Sequence, residues 1–271
     1  MKMKRYSHYR RKPLYETTLA HHLWSAAIAG AIAVGFAVVL IHFAYPRNEF
    51  DINRVSYGVV ALAALNTFDR MTLAFVLSLV AAVPLALFIG STPRLQSILL
   101  PIADILQSVP VLAFFPVVVG FFVARNAFEF AAVFVIFLSM LWNIVFPVIG
   151  GLQTIPEDVN SAALVFNVKG VRKFWYITLP AIFPFIVTGS LLAWAQGWTI
   201  VIVAEVLHTY IPNGKISQDL LGLGSLLVDS NTQGRNGVFI ATLTAMIVLV
   251  TLLNLVVWQP LLHLSQRFRF D

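Results

Sequence analysis

Six apolar stretches, about 23–45, 68–91, 99–123, 128–151, 176–206 and 236–258, each reach the length of a membrane crossing and recur along the whole 271-residue chain. A hydrocarbon core of roughly 30 Å takes about 20 apolar residues as helix. Backbone inside it must close its hydrogen bonds within a segment or around a barrel, and stretches this long predict helices. Charged residues are 11% of the chain and hydrophobic ones 59%, where soluble proteins carry about 25% charged. No polar linker of domain size separates the stretches. The chain is therefore expected to be an all-α polytopic membrane protein, with one membrane domain over 23–258 between a basic tail, 1–22, and a short tail, 259–271. The first stretch exceeds the signal-peptide core of about 7–15 residues and lacks a small-x-small cleavage site, so it reads as a retained helix. Without cysteine, disulfides and thiolate metal sites are excluded.

The basic residues set the orientation. An inside amino terminus places Lys2, Lys4, Arg5, Arg10, Arg11, Lys12, Arg94, Lys169, Arg172, Lys173, Arg267 and Arg269 in the cytoplasm, and leaves Arg47, Arg54, Arg70, Arg125, Lys215 and Arg235 outside. That bias obeys the positive-inside rule, with both termini cytoplasmic. The net charge of +6 sits in loops and tails rather than on one soluble face, which argues against nucleic acid. The basic first tail is suited to anionic lipid, worth up to about 1 kcal/mol per Lys or Arg near the surface. In the first stretch Ser25, Ala29, Ala33 and Ala37 form a ladder for close helix packing. His21-His22 at its inner end reads as an interfacial anchor. No metal site is expected, because no third ligand lies nearby in sequence, and no Ser/His/Asp or paired-carboxylate arrangement points to catalysis.

Between the fourth and fifth stretches lies a polar and basic island, 154–180. Thr154-Ile155-Pro156-Glu157 has the order of a helix start, with Thr154 as N-cap, Pro156 in the first turn and Glu157 reaching back as in a capping box. A short helix is expected over about 155–166. Asn167 is suited to the left-handed conformation that ends a helix, and Gly170 to further distortion beyond it. A second helical stretch with Lys169, Arg172 and Lys173 leads to Pro180 and the fifth span. An interfacial connector is the plain alternative, but a connector needs no such cap, break and re-entry.

These residues resemble a family. Permease subunits of ABC importers of type I carry the cytoplasmic signature E-A-A-x3-G-x9-I-x-L-P, and Ala162, Ala163, Ile177, Leu179 and Pro180 fall on it in register. Ser161 stands where the family has glutamate, and Asn167 where it has glycine. Asn is the best non-glycine residue for a positive φ, and Glu157, one turn earlier, is the nearest carboxylate able to stand in for the missing one. Thr67-Phe68-Asp69-Arg70 with 84–90, and the run from Gln107 to Pro116, are similar to further family helices. Val203-Ala204-Glu205-Val206-Leu207 followed by Gly222-Leu223-Gly224 resembles the nitrate, sulfonate, taurine and bicarbonate branch. The resemblance implies about six transmembrane helices in a prokaryotic inner membrane, with a coupling helix between spans 4 and 5. It further implies two ATP-binding subunits docked on Glu157, Ser161, Ala162, Ala163, Asn167, Gly170, Leu179 and Pro180, a second permease, and an extracytoplasmic solute-binding protein. No G-x-x-x-x-G-K-[ST] is present, so the chain is expected to be no enzyme and to hold no cofactor, with ATP and Mg bound by the partners.

The pathway is expected in the third span, where Pro101, Pro110 and Pro116 each remove a backbone hydrogen bond and kink or break the helix. Freed carbonyls are tolerated where they face a cavity, and Gln107 and Ser108 beside Pro110 are candidates to line it. Asn143, and Gln196 between Trp194 and Trp198, offer donors without fixed charge. Glu205 ends a long apolar run near the outer boundary, where contact with a binding protein, gating, or a structural bond to backbone or Arg70 are all open. Two other functions stay open. An ion-gradient-driven secondary transporter would show paired buried charges at mid-membrane and an inverted repeat, neither of which is evident in the sequence. A non-transporting membrane scaffold would use the island to dock some other protein.

Overall fold

Tyr57–Ile89 forms one unbroken helix, α1, in a computed structural model that describes residues 56–211, 214 and 219–268. The expected tail 1–22 and span 23–45 lie outside the described residues. Along α1 the buried positions Ala63, Thr67, Arg70, Ala74, Ser78, Ala82 and Ala86 recur every three or four residues, while Leu62, Leu65, Val76, Val80 and Phe88 are exposed. Lipid tails are as apolar as leucine, so size rather than hydrophobicity chooses the inward face, and small side chains let helices approach.

Helix α2, Pro93–Ser108, starts where Thr92 Oγ1 accepts from the Leu95 N–H and Pro93 occupies the first turn. Helix α3, Val111–Val123, follows with a bend of 79°. The break is local: Val109 is extended, at ψ 122°, because a residue before proline is pushed out of the α region. Pro101 and Pro116 lie within continuous helix, so of the three expected interruptions only the one at Pro110 breaks the span.

Helix α4, Phe128–Gln153, packs between α1 and α6, Gly170–Ala204. At Gly189 of α6 a Cβ would lie 2.8 Å from the Asn143 carbonyl oxygen of α4, so only glycine permits this crossing. Met71, Ile136, Met140, Ile144 and Ile182 fill the centre. The short α5, Glu157–Val165, joins α4 to α6; α7, Leu223–Thr232, precedes α8, Asn236–Ser265. Helices α6 and α8 each contain a π turn, Phe174–Thr178 and Asn254–Trp258, shortly before Pro180 and Pro260. Proline lacks an N–H and its ring crowds the carbonyl four residues back, and a locally wider turn lets the helix run through it.

Among the described residues four helices are long and apolar enough to cross a membrane, and the bent α2–α3 pair makes a fifth. These residues are helical along their apolar stretches, as the all-α expectation has it, and the expected sixth span, 23–45, lies outside the described residues. Four expected boundaries move: the spans placed at 68–91, 99–123 and 176–206 start at Tyr57, Pro93 and Gly170, and the one placed at 236–258 runs to Ser265.

Candidate functional site

The turn at Val109-Pro110 aims the end of α2 and the start of α3 at the same face of α4, leaving a cavity of about 350 Å³. Gln107 and Pro110 line it from the break, Ser139, Trp142 and Asn143 from α4, and Gln196 from α6. Positions 138, 139, 142 and 143 share a helix face, as do 196 and 200, so ordinary helical geometry assembles the lining. Asn143 Nδ2 donates to the Ser139 carbonyl at 2.9 Å, and Ser139 Oγ donates to the Ile136 carbonyl at 2.7 Å. The carboxamides of Gln107 and Gln196 remain to face the space, each with donors and an acceptor. None of the lining residues is charged.

Four of the six residues expected along a pathway, Gln107, Pro110, Asn143 and Gln196, thus meet at one cavity. Ser108 does not line it; its Oγ donates to the Asp104 carbonyl at 2.7 Å. Trp194 and Trp198 are not beside Gln196 in space. Trp194 packs among Phe68, Phe75 and Trp258, because a residue two positions away points to the far side of a helix. Trp142, which does line the cavity, was missed, although it neighbours Asn143 and sits one turn from Ser139.

Glu205 lies elsewhere, fully buried just beyond the C-terminal end of α6. Its Oε1 accepts from Thr67 Oγ1 at 2.7 Å and from Arg70 Nη1 at 2.9 Å; its Oε2 accepts from the Gly224 N–H at 2.7 Å, at the start of α7. A carboxylate at a helix N-terminus also meets the positive end of the helix dipole. Arg70, 6% exposed, reaches on to Glu129 in the first turn of α4 through Nε at 2.6 Å and Nη2 at 2.8 Å, and Nη1 donates to the Leu221 carbonyl at 3.0 Å. The Leu223 N–H donates to Thr67 Oγ1 at 2.8 Å and Asn66 Nδ2 to the Leu221 carbonyl at 3.1 Å. A Cβ on Gly222 would lie 2.2 Å from the Glu205 carboxylate, and one on Gly224 2.6 Å from Ile202 Cα, which is why Gly222-Leu223-Gly224 has its two glycines.

Of the readings open for Glu205, the structure places it in the bond to Arg70 and to backbone, and not on the cavity. The Arg70–Glu205 bond was one of the options left open by the sequence; the link onward to Glu129 was not. Glu205 follows the last residue of α6 and Glu129 lies in the first turn of α4, while Arg70 lies well inside α1, and both charges of the pair have hydrogen-bond partners. Removing one member of such a pair typically costs about 3–5 kcal/mol. A second junction at this end is weaker: Phe115 of α3 meets the edge of Tyr210 with ring centroids 4.3 Å apart, a contact type worth about 0.5–1.5 kcal/mol.

At the opposite end stands α5. It starts two residues later than expected, with Pro156 at the N-cap and no side-chain bond to cap it. Thr154 Oγ1 instead donates to the Gly151 carbonyl at 2.8 Å, closing α4, so the expected N-cap and capping box do not form. The other end is as expected: Asn167 has φ 54° and Gly170 φ 57°. The Asn167 N–H bonds to the Leu164 carbonyl at 3.0 Å and the Val168 N–H to the Ala163 carbonyl at 2.8 Å, the two bonds of a Schellman cap. Glu157, Ser161 and Ala162 are exposed, and Leu179 and Pro180 half-buried. Ala163 is 4% exposed and faces the protein, whereas Leu164, Val165 and Phe166 are 66%, 81% and 78% exposed.

Residues 74–269 match the family described as binding-protein-dependent transport system inner membrane component. The chain is 29% identical over 191 residues to the nitrate import permease protein NrtB of Leptolyngbya laminosa, covering 70% of this chain and 64% of that one. It is 26% identical over 167 residues to the bicarbonate transport system permease protein CmpB of Synechococcus elongatus, covering 62% and 56%. Against the taurine transport system permease protein TauC of Escherichia coli the figures are 24% over 141 residues, 52% and 50%. The chain thus spans between half and just under two thirds of these relatives' own length. Four membrane-length helices with a bent pair as a fifth, an Ala162-Ala163 to Pro180 signature running from a capped short helix into the next span, and a family match over most of the chain converge: the chain belongs to the binding-protein-dependent transport system inner membrane components and is similar to nitrate, bicarbonate and taurine permeases.

Proposed function

We propose that this chain is the membrane-spanning permease subunit of an ATP-driven importer, sharing a substrate path with a second permease and coupled through α5 to two separate ATPase subunits. The observation that carries the reading is α5 itself: a short capped helix between two spans, with Leu164, Val165 and Phe166 turned to the outside. An apolar patch of that kind on a polar connector marks an interaction site. ATP and Mg belong to the ATPases, substrate delivery to an extracytoplasmic binding protein, and both termini to the cytoplasm. Alternating access follows if ATP binding favours one of two membrane states over the other.

The cavity at the α2–α3 break is the natural segment of the path. Its carboxamides bind polar solutes without a fixed cation, so a small anion can pass without being held. Nitrate, sulfonate, taurine and bicarbonate are the proposed range of substrates. The ion-gradient reading gains little from the Arg70–Glu205 pair, neither of whose residues lines the cavity.

The test is copurification of the tagged chain with its ATPase, comparing wild type with Val165→Asp and Leu164→Asp. Both positions are exposed, so the variants keep their fold; Ala163, which faces inward, would test folding instead. Loss of the ATPase from the variants, with wild type retaining it, is expected. An ATPase bound equally by all three would end the coupling reading and leave the scaffold alternative.

A further inference from the structure

Two junctions of different character stand near the C-terminal end of α6, the helix that lines the cavity with Gln196 and Ile200, and this inference rests on the permease reading just given. One is the clamp that ties α1, α4 and α6 together through Arg70, Glu129 and Glu205 and pins Leu221, Leu223 and Gly224 to the same point. The other is the edge-to-face contact of Phe115 with Tyr210. Phe115 lies one helical turn along α3 from Val111, which lines the cavity, and Tyr210 follows the C-terminal end of α6. Helix α3 joins α2 through the extended backbone at Val109-Pro110, where no helical hydrogen bond crosses the 79° bend to resist a change of angle.

We propose that the Phe115–Tyr210 contact is the outer gate of the path, opened by a swing of α3 about Val109-Pro110, while the Arg70–Glu205 clamp stays shut throughout the cycle. Parting the rings exposes Phe115, which is fully buried, but leaves no charge behind, whereas parting the clamp would leave a buried charge without its partner. The clamp then makes Arg70 a positioning residue: it fixes α1, α4, α6 and the start of α7 as the frame against which α3 moves. The cavity wall contributed by Gln107, Pro110 and Val111 opens or closes with the swing, and the wall from α4 and α6 does not.

The absence of cysteine makes thiol pairs clean reporters. Phe115→Cys with Tyr210→Cys reports the gate, bridged by a short bifunctional thiol reagent that fits the space the two rings vacate. Asn66→Cys with Leu221→Cys reports the clamped side. Each pair is placed in the transporter assembled with its ATPases in nanodiscs, and crosslinking is compared at rest and after trapping with ATP and vanadate. The 115/210 crosslink is expected to fall several-fold on trapping, and the 66/221 crosslink to stay as it was. Hydrogen–deuterium exchange of the wild type is the second measurement, free of any substitution: on trapping, exchange should rise over 208–211 and stay constant over 220–224. ATP hydrolysis with the 115/210 pair unmoved, or with both pairs moving together, overturns the gate. No ATPase assembled and no ATP hydrolysed overturns the permease reading, and the gate with it.

Discussion

Replacing Glu205 by glutamine keeps shape and volume but removes the charge that Arg70 faces. The new Oε1 can still accept from Thr67 and Arg70, while the new amide presents a donor to the Gly224 N–H, where the carboxylate accepts at 2.7 Å. Arg70, 6% exposed, keeps Glu129 as its remaining ion partner, and Glu129 is 58% exposed to solvent. Breaking one side of a buried pair typically costs about 3–5 kcal/mol. For a chain of this length each kcal/mol moves the melting temperature by about 2–4 °C, so Glu205→Gln should melt roughly 6–20 °C below wild type. The assay is thermal aggregation of the tagged protein in detergent, followed by size-exclusion fluorescence. A double replacement, Arg70→Met with Glu205→Leu, removes both buried charges and leaves Glu129 hydrated. It should recover a large part of the loss, because an ion pair exchanged for apolar groups is often neutral, and the two sites should be strongly non-additive. A Glu205→Gln variant as stable as wild type, or a double variant whose loss is the sum of the singles, would refute the reasoning.

Two other outcomes follow from the geometry. Gly222→Ala would set a Cβ against the Glu205 carboxylate and should destabilise by about 1–3 kcal/mol in the same melting assay, whereas Gly120→Ala, with nothing within 4 Å of the new atom, should be silent. Asn167→Gly should preserve ATPase-coupled function and Asn167→Ala weaken it, because a residue with a Cβ at φ 54° carries a penalty of about 1–2 kcal/mol that Asn and Gly lessen or escape; equal ATP hydrolysis by both assembled variants would remove the left-handed cap from the argument.

What could be read beforehand depended on range along the chain. Apolar length alone located the spans, and Asn167 announced its own conformation, since both signals are local. Gln107, Asn143 and Gln196 were legible because polar residues in apolar helices need a reason to be there, and the break that gathers them was flagged by Pro110. The same proline rule overreached at Pro101 and Pro116, where the helix absorbs a missing N–H without breaking. Thr154 misled because its hydroxyl has two local options, and the carbonyl three residues back prevailed over the next helix. The clamp was the least legible part. Its members at 67, 70, 129, 205 and 222–224 are joined by no period, and the glycines of Gly222-Leu223-Gly224 make sense only once the Glu205 carboxylate lies against them.

The two π turns bear on how this protein can change. A π turn holds one residue more than the α turn it replaces, and each residue of helix advances the azimuth by about 100°. Deleting a single residue from Phe174–Thr178 would return that turn to α geometry and leave Gly170–Lys173, with Arg172 and Lys173, on nearly the same bearing, because the wider turn holds its extra residue without a full α step. The segment is thus a slack link: a one-residue deletion should be forgiven there, whereas the same deletion in the α part of the helix would turn everything before it by about 100°.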